Sequence, residues 1–128
     1  MTELGRRFEG RARLCHRLRR SDRLLGNHHL PGEARSIDGA LCGVTLARIG
    51  EPSILIDWSD LKADQWLHLL RASRPVGGHS LTLCEEVHAQ KQRGNRVVQQ
   101  RFLQHIAQMM PSHVRPIIIA DADFKVPF

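Results

Sequence analysis

Two apolar runs, each ending in an aspartate, constrain the fold of this chain more than any other feature: Ser53-Ile54-Leu55-Ile56-Asp57 and Pro116-Ile117-Ile118-Ile119-Ala120-Asp121. Each is short enough for a strand and too short for a buried helix, and an unbroken apolar run predicts a strand covered on both faces. Between them the pattern changes twice. Residues 61–65 form a polar break, and residues 66–74 and 79–88 then read as two strands joined by Pro75-Val76-Gly77-Gly78, a link of hairpin type. Gly94 and Asn95 next introduce a helix whose Val98, Phe102, Ile106 and Met109 share one face, and Pro111 stops it. The expected order is strand, strand, strand, helix, strand, an α/β arrangement.

Because the connection between the two apolar runs contains a helix, a right-handed crossover can lay the last strand beside the first and parallel to it. Ligands bind such sheets at the carboxyl ends of the strands, where Asp57 and Asp121 would converge. An oxygen-only, doubly negative site suits a hard divalent cation such as Mg2+ or Mn2+, which can activate an attacking oxygen and stabilise a leaving one in phosphoryl transfer. A lone aspartate at a strand end more often starts a turn, so the pairing carries the chemical reading. Asp60, Asp64 and Asp123 lie near in sequence, and the first two suit caps of a following turn or helix.

The N-terminal part has a different character. Residues 1–26 hold eight arginines against three acids, which accounts for nearly all of the chain's net charge of +6. Arginine's planar fork binds phosphate oxygens in pairs, so this segment reads as a contact surface for a polyanion, although a solvated arginine-rich helix face has the same composition. Over residues 11–25 the apolar side chains Leu14, Leu18 and Leu25 recur at helical spacing, with Arg13, Arg17 and Arg20 stacked on another face. Gly26 and Asn27 would cap this helix, and a short turn before it allows a helix-turn-helix. The DNA-contacting residues expected are Arg13, Arg17, Arg20 and Arg23. Residues 28–52 carry Pro31, Gly32, Gly39, Gly43, Gly50 and Pro52, so only short, interrupted elements are expected in this connector. The division predicted is a basic helical segment and connector over residues 1–52, then residues 53–128.

His28 and His29 lack further ligands at metal-binding spacing and read as surface or packing residues. Cys15, Cys42 and Cys84 are odd in number and widely spaced, which suggests neither disulfides nor zinc but small buried or half-buried side chains. No apolar run approaches the roughly 18 residues that cross a bilayer and no secretory leader is evident, so a cytoplasmic protein is expected, with no membrane partner.

Five blocks carry a resemblance. Ser21-Asp22-Arg23-Leu24-Leu25-Gly26-Asn27, Leu55-Ile56-Asp57-Trp58-Ser59-Asp60-Leu61, Leu70-Arg71-Ala72-Ser73, Leu81-Thr82-Leu83-Cys84-Glu85-Glu86 and Ala120-Asp121-Ala122-Asp123-Phe124-Lys125-Val126-Pro127 follow one another as in a DDE transposase. The chain resembles the cut-and-paste enzymes of bacterial insertion sequences that form composite transposons. The resemblance implies a partial ribonuclease-H-like core over residues 53–128, in which Asp57 and Asp121 are the first two catalytic carboxylates and ligands of Mg2+ or Mn2+. The implied partners are DNA, both transposon ends and target, and an intact transposase. Asp123 stands where the family usually has glycine, and Cys84 where tyrosine is common. The family continues past its second aspartate to a catalytic glutamate and begins upstream of the point matched by Met1. The chain is therefore expected to be truncated at both ends and inactive alone, or to persist as a DNA-binding remnant that interferes with intact transposase. Glu85 and Glu86, on the strand at the far edge of the sheet, read as surface ion-pair partners and not as replacements for that glutamate.

Overall fold

The computed structural model describes residues 19, 22–24, 26–61, 66–121 and 124. The chain divides into two compact units, residues 1–36 and 37–128, and the division falls within a helix, α1 (Leu30–Leu46). In the first unit Arg19 and residues 22–24 are helical, the Gly26 amide donates to the Asp22 carbonyl at 2.9 Å, and the Asn27 side chain accepts from the His29 amide at 3.1 Å. Arg13, Arg17 and Arg20 lie outside the described residues.

Helix α1 corrects the expectation of an interrupted connector. Pro31 falls in the first turn, where a missing amide hydrogen costs nothing, and Glu33 complements the positive end of the helix. Gly32, Gly39 and Gly43 face open space. Each weakens the helix by about 1 kcal/mol relative to alanine without breaking it. Burial of Cys42 and Leu46, one turn apart, offsets part of that cost.

The second unit is built on a mixed four-stranded sheet of β1 (Ser53–Asp60), β2 (Leu67–Val76), β3 (His79–Ala89) and β4 (Ile117–Ala120), ordered β3-β2-β1-β4. Strands β1 to β3 are antiparallel neighbours, and β4 lies parallel to β1 with Ile56 opposite Ala120. The chain is thus α/β, in the order read from the sequence. Gly77 and Gly78 alone turn the β2–β3 hairpin, with φ of 55° and 79° that match a primed two-residue turn. Pro75 and Val76 belong to β2. Helix α2 (Arg96–Met109) starts at Asn95, whose side chain accepts from the amides of Val97 at 2.9 Å and Val98 at 3.4 Å. Phe102, fully buried, packs with Val98, Ile106 and Val114 on the sheet residues Ile54, Ile56, Trp58, Leu70 and Cys84.

The apolar runs are not covered on both faces as expected. Burial along β1 alternates, with Ile54, Ile56 and Trp58 buried and Asp57 exposed, and on β4 Ile117 and Ile119 are 53% and 48% exposed. The inner face is packed by α2 and by Cys42 and Leu46 of α1. Asp57 also does not end its strand: pairing with β2 carries β1 on to Asp60. Among the described residues no helix is long and apolar enough to cross a membrane.

Candidate functional site

The parallel pairing of β1 and β4 stops at Ile56 and Ala120, so Asp57 and Asp121 are the next residues of two adjacent strands running the same way. Side chains alternate across a strand, which sends Asp57 to the face opposite Ile56 and Trp58. Asp57 and Asp121 line one open groove of about 510 Å³, floored by Leu55 and Ile119 and flanked by Arg71, Ser73 and Ser80 of the hairpin. Cross-strand register extends this row. Asp57 stands opposite Arg71 on β2, and Arg71 opposite Glu85 on β3. The Arg71 Nε donates to Glu85 Oε2 at 3.2 Å, with both side chains close to half exposed. From edge to edge the outer face therefore reads acid, acid, base, acid.

The two aspartates predicted from the sequence are thus brought together, and the donor set suits a small hard cation. Mg2+ is commonly held by one or two carboxylates, completed by water and substrate phosphate. Among the described residues no group of three or more histidine, cysteine, aspartate or glutamate side chains could hold a metal ion. Asp123 and Asp64 lie outside the described residues. Arg23 is exposed, on the helical residues 22–24 of the first unit. His28 and His29 are exposed, their rings 3.9 Å apart.

Asp60 is the last residue of β1, bonded to His68 Nδ1 at 2.9 Å and approached by Arg93 at 3.4 Å, and the turn it was expected to cap, residues 62–65, lies outside the described residues. Glu85 makes the surface pair expected of it, whereas Glu86 faces α2 and is mostly enclosed. His88 Nε2 at 3.1 Å, Arg101 at 3.5 Å and His105 Nδ1 at 3.6 Å surround the Glu86 carboxylate. Sequence reasoning missed this cluster. Its signal was polar residues at inward positions: Asp60, His68 and His88 share one cross-strand row, and Glu86 occupies the row beside it.

Cys42 and Cys84 are free and buried, as expected. Burial, then the Asp38 carboxylate, raises the Cys42 thiol. Burial, reinforced by Asp38, Cys42, Glu86 and Glu85, pushes the Cys84 thiol up to about 12. A thiol held neutral in this way is a poor nucleophile. The Asp38 carboxyl is itself raised by burial and by Glu85, against an opposing pull from His105. The carboxylate groove is therefore the chemically open site, and comparison with known proteins finds no family model, curated protein or solved structure that matches the chain.

Proposed function

We propose that the chain carries the first two carboxylates of a metal-dependent phosphoryl-transfer site of DDE-transposase type, on a ribonuclease-H-like sheet, with DNA as its partner. The observation that carries this reading is the placement of Asp57 and Asp121 one residue past the paired ends of adjacent parallel strands, on one groove. The five sequence blocks resembling that family support it independently. Asp57 and Asp121 would hold Mg2+ or Mn2+, with water and phosphate oxygens completing the shell. The bound cation supplies activation of an attacking oxygen and neutralisation of charge on a leaving one. The protein's own part is to fix two oxygen donors just past the parallel pairing of β1 and β4 and keep the groove open to a polymer.

The test is Mn2+ binding followed by electron paramagnetic resonance. The wild-type chain is expected to bind Mn2+, and Asp57→Asn and Asp121→Asn each to weaken it at least tenfold. Equal binding by all three proteins would sink the reading. Asp57 is exposed, so Asp57→Asn should change stability by no more than about 0.5 kcal/mol, which makes lost binding attributable to the site.

A second reading, a DNA-binding remnant without catalysis, is favoured by the eight arginines of residues 1–26. Phosphate contacts release counterions, so replacing Arg13, Arg17 and Arg20 together by alanine should lower the logarithmic salt slope of DNA binding by about 3. An unchanged slope returns those arginines to an ordinary solvated face.

A further inference from the structure

The geometry points to Arg71 as the phosphate-binding group of the carboxylate groove, receiving a non-bridging oxygen of a nucleic-acid phosphodiester, with Glu85 as the residue that positions it. This inference rests on the reading of Asp57 and Asp121 as cation ligands and names what faces them.

Three observations carry it. First, the groove has two chemically opposite walls. Asp57 and Asp121 supply only acceptors at neutral pH, while Arg71, Ser73 and Ser80 bring a guanidinium and two hydroxyls. A groove built only to hold a cation needs no such donors, whereas a site for a cation and its phosphate needs both walls. Second, Arg71 is fixed by register and by a single contact. It stands between Asp57 and Glu85 on the same face of the sheet, and Nε is taken by Glu85 at 3.2 Å. A guanidinium held at Nε keeps its two terminal nitrogens as a fork matched to phosphate oxygens. Third, Asp57 and Glu85 flank Arg71 across this row and Asp121 lines the same groove, so a cation bound there lowers the negative charge that a phosphate meets beside Arg71. Phosphate capture is therefore coupled to metal binding through the same groove.

The probe is thymidylyl-thymidine, which carries one phosphodiester and is too short to bridge separate surfaces. With Mn2+ on the protein, paramagnetic broadening of the probe's phosphorus resonance reports a phosphate held beside the metal, and a probe bound elsewhere on the chain is not broadened. Arg71→Gln is expected to leave Mn2+ affinity within about twofold of wild type and to reduce probe affinity about tenfold, the scale of one charge-assisted hydrogen bond. Arg71→Lys, which keeps the charge but loses the fork, should fall between them. Probe affinity unchanged in Arg71→Gln, with Mn2+ bound normally, would overturn the assignment. Loss of Mn2+ binding in Arg71→Gln would also overturn it, by making Arg71 a support of the carboxylates. If Mn2+ binding is instead indifferent to Asp57→Asn, the cation reading fails on its own. A direct probe titration that Arg71→Gln still weakens would then sustain the phosphate contact without it.

Discussion

At the scale of single residues, burial and register decide chemistry that residue type leaves open. Cys84 and Arg71 are on the neighbouring strands β3 and β2, yet one is buried in the core and the other stands on the open face. The Cys84 thiol, raised from an ordinary value of 9.0 to about 12, is stabilised as the neutral form in the fold. Its contribution to stability is complete below pH 9.0 and is lost as pH climbs toward 12, because the unfolded chain releases the proton first. Denaturant titrations at neutral pH and near pH ~10.5 should show wild type losing more stability over that interval than Cys84→Ala. An equal loss in the two proteins would remove Cys84 as a source of alkaline sensitivity. The aspartate pair was legible in the sequence because a terminal acid on an apolar run is a local signal. The Glu86 cluster was not, since a histidine at an inward strand position looks like a surface residue until its partner strand and helix are known.

Among the elements, legibility followed how local the determining force is. Asn95 bonds the first amides of α2, and Gly77-Gly78 supply the positive φ of the hairpin, so those boundaries are written in adjacent residues. Helix α1 was hidden because its glycines argue against a helix locally while Cys42 and Leu46 argue for one only through the core they enter. The outer sheet face misled in the opposite sense: Ile117 and Ile119 read as core, but each is about half exposed. A Cβ at Gly39 meets nothing within 4 Å, and the residue is mid-helix, so Gly39→Ala should stabilise the chain by about 0.5–1 kcal/mol. A lower thermal midpoint in that variant would show that Gly39 is kept for close approach and not tolerated at a cost.

For the whole molecule, the two proposed sources of affinity for DNA are separable in sequence and in chemistry. The arginines of residues 1–26 supply a charge that depends on salt and not on metal, while the groove of Asp57, Asp121 and Arg71 is predicted to depend on metal. Binding by one does not entail chemistry by the other. In-line displacement at phosphorus needs both the attacking and the leaving oxygen stabilised, and the DDE transposases that the sequence resembles use three carboxylates for that. Here two acids line one groove, and the next acid in the row, Glu85, is engaged by Arg71. The chain given Mg2+ or Mn2+ and a labelled duplex is therefore expected to retain DNA without nicking or joining strands. Members of such a unit act together, so loss of one forfeits most of the rate. Strand cleavage above background that vanishes in Asp57→Asn would show that two carboxylates and an arginine suffice. Glu85→Gln would then decide the origin of the activity: cleavage lost while the dinucleotide probe still binds would recruit Glu85 as the third acid, and cleavage lost together with probe binding would trace the effect to the positioning of Arg71.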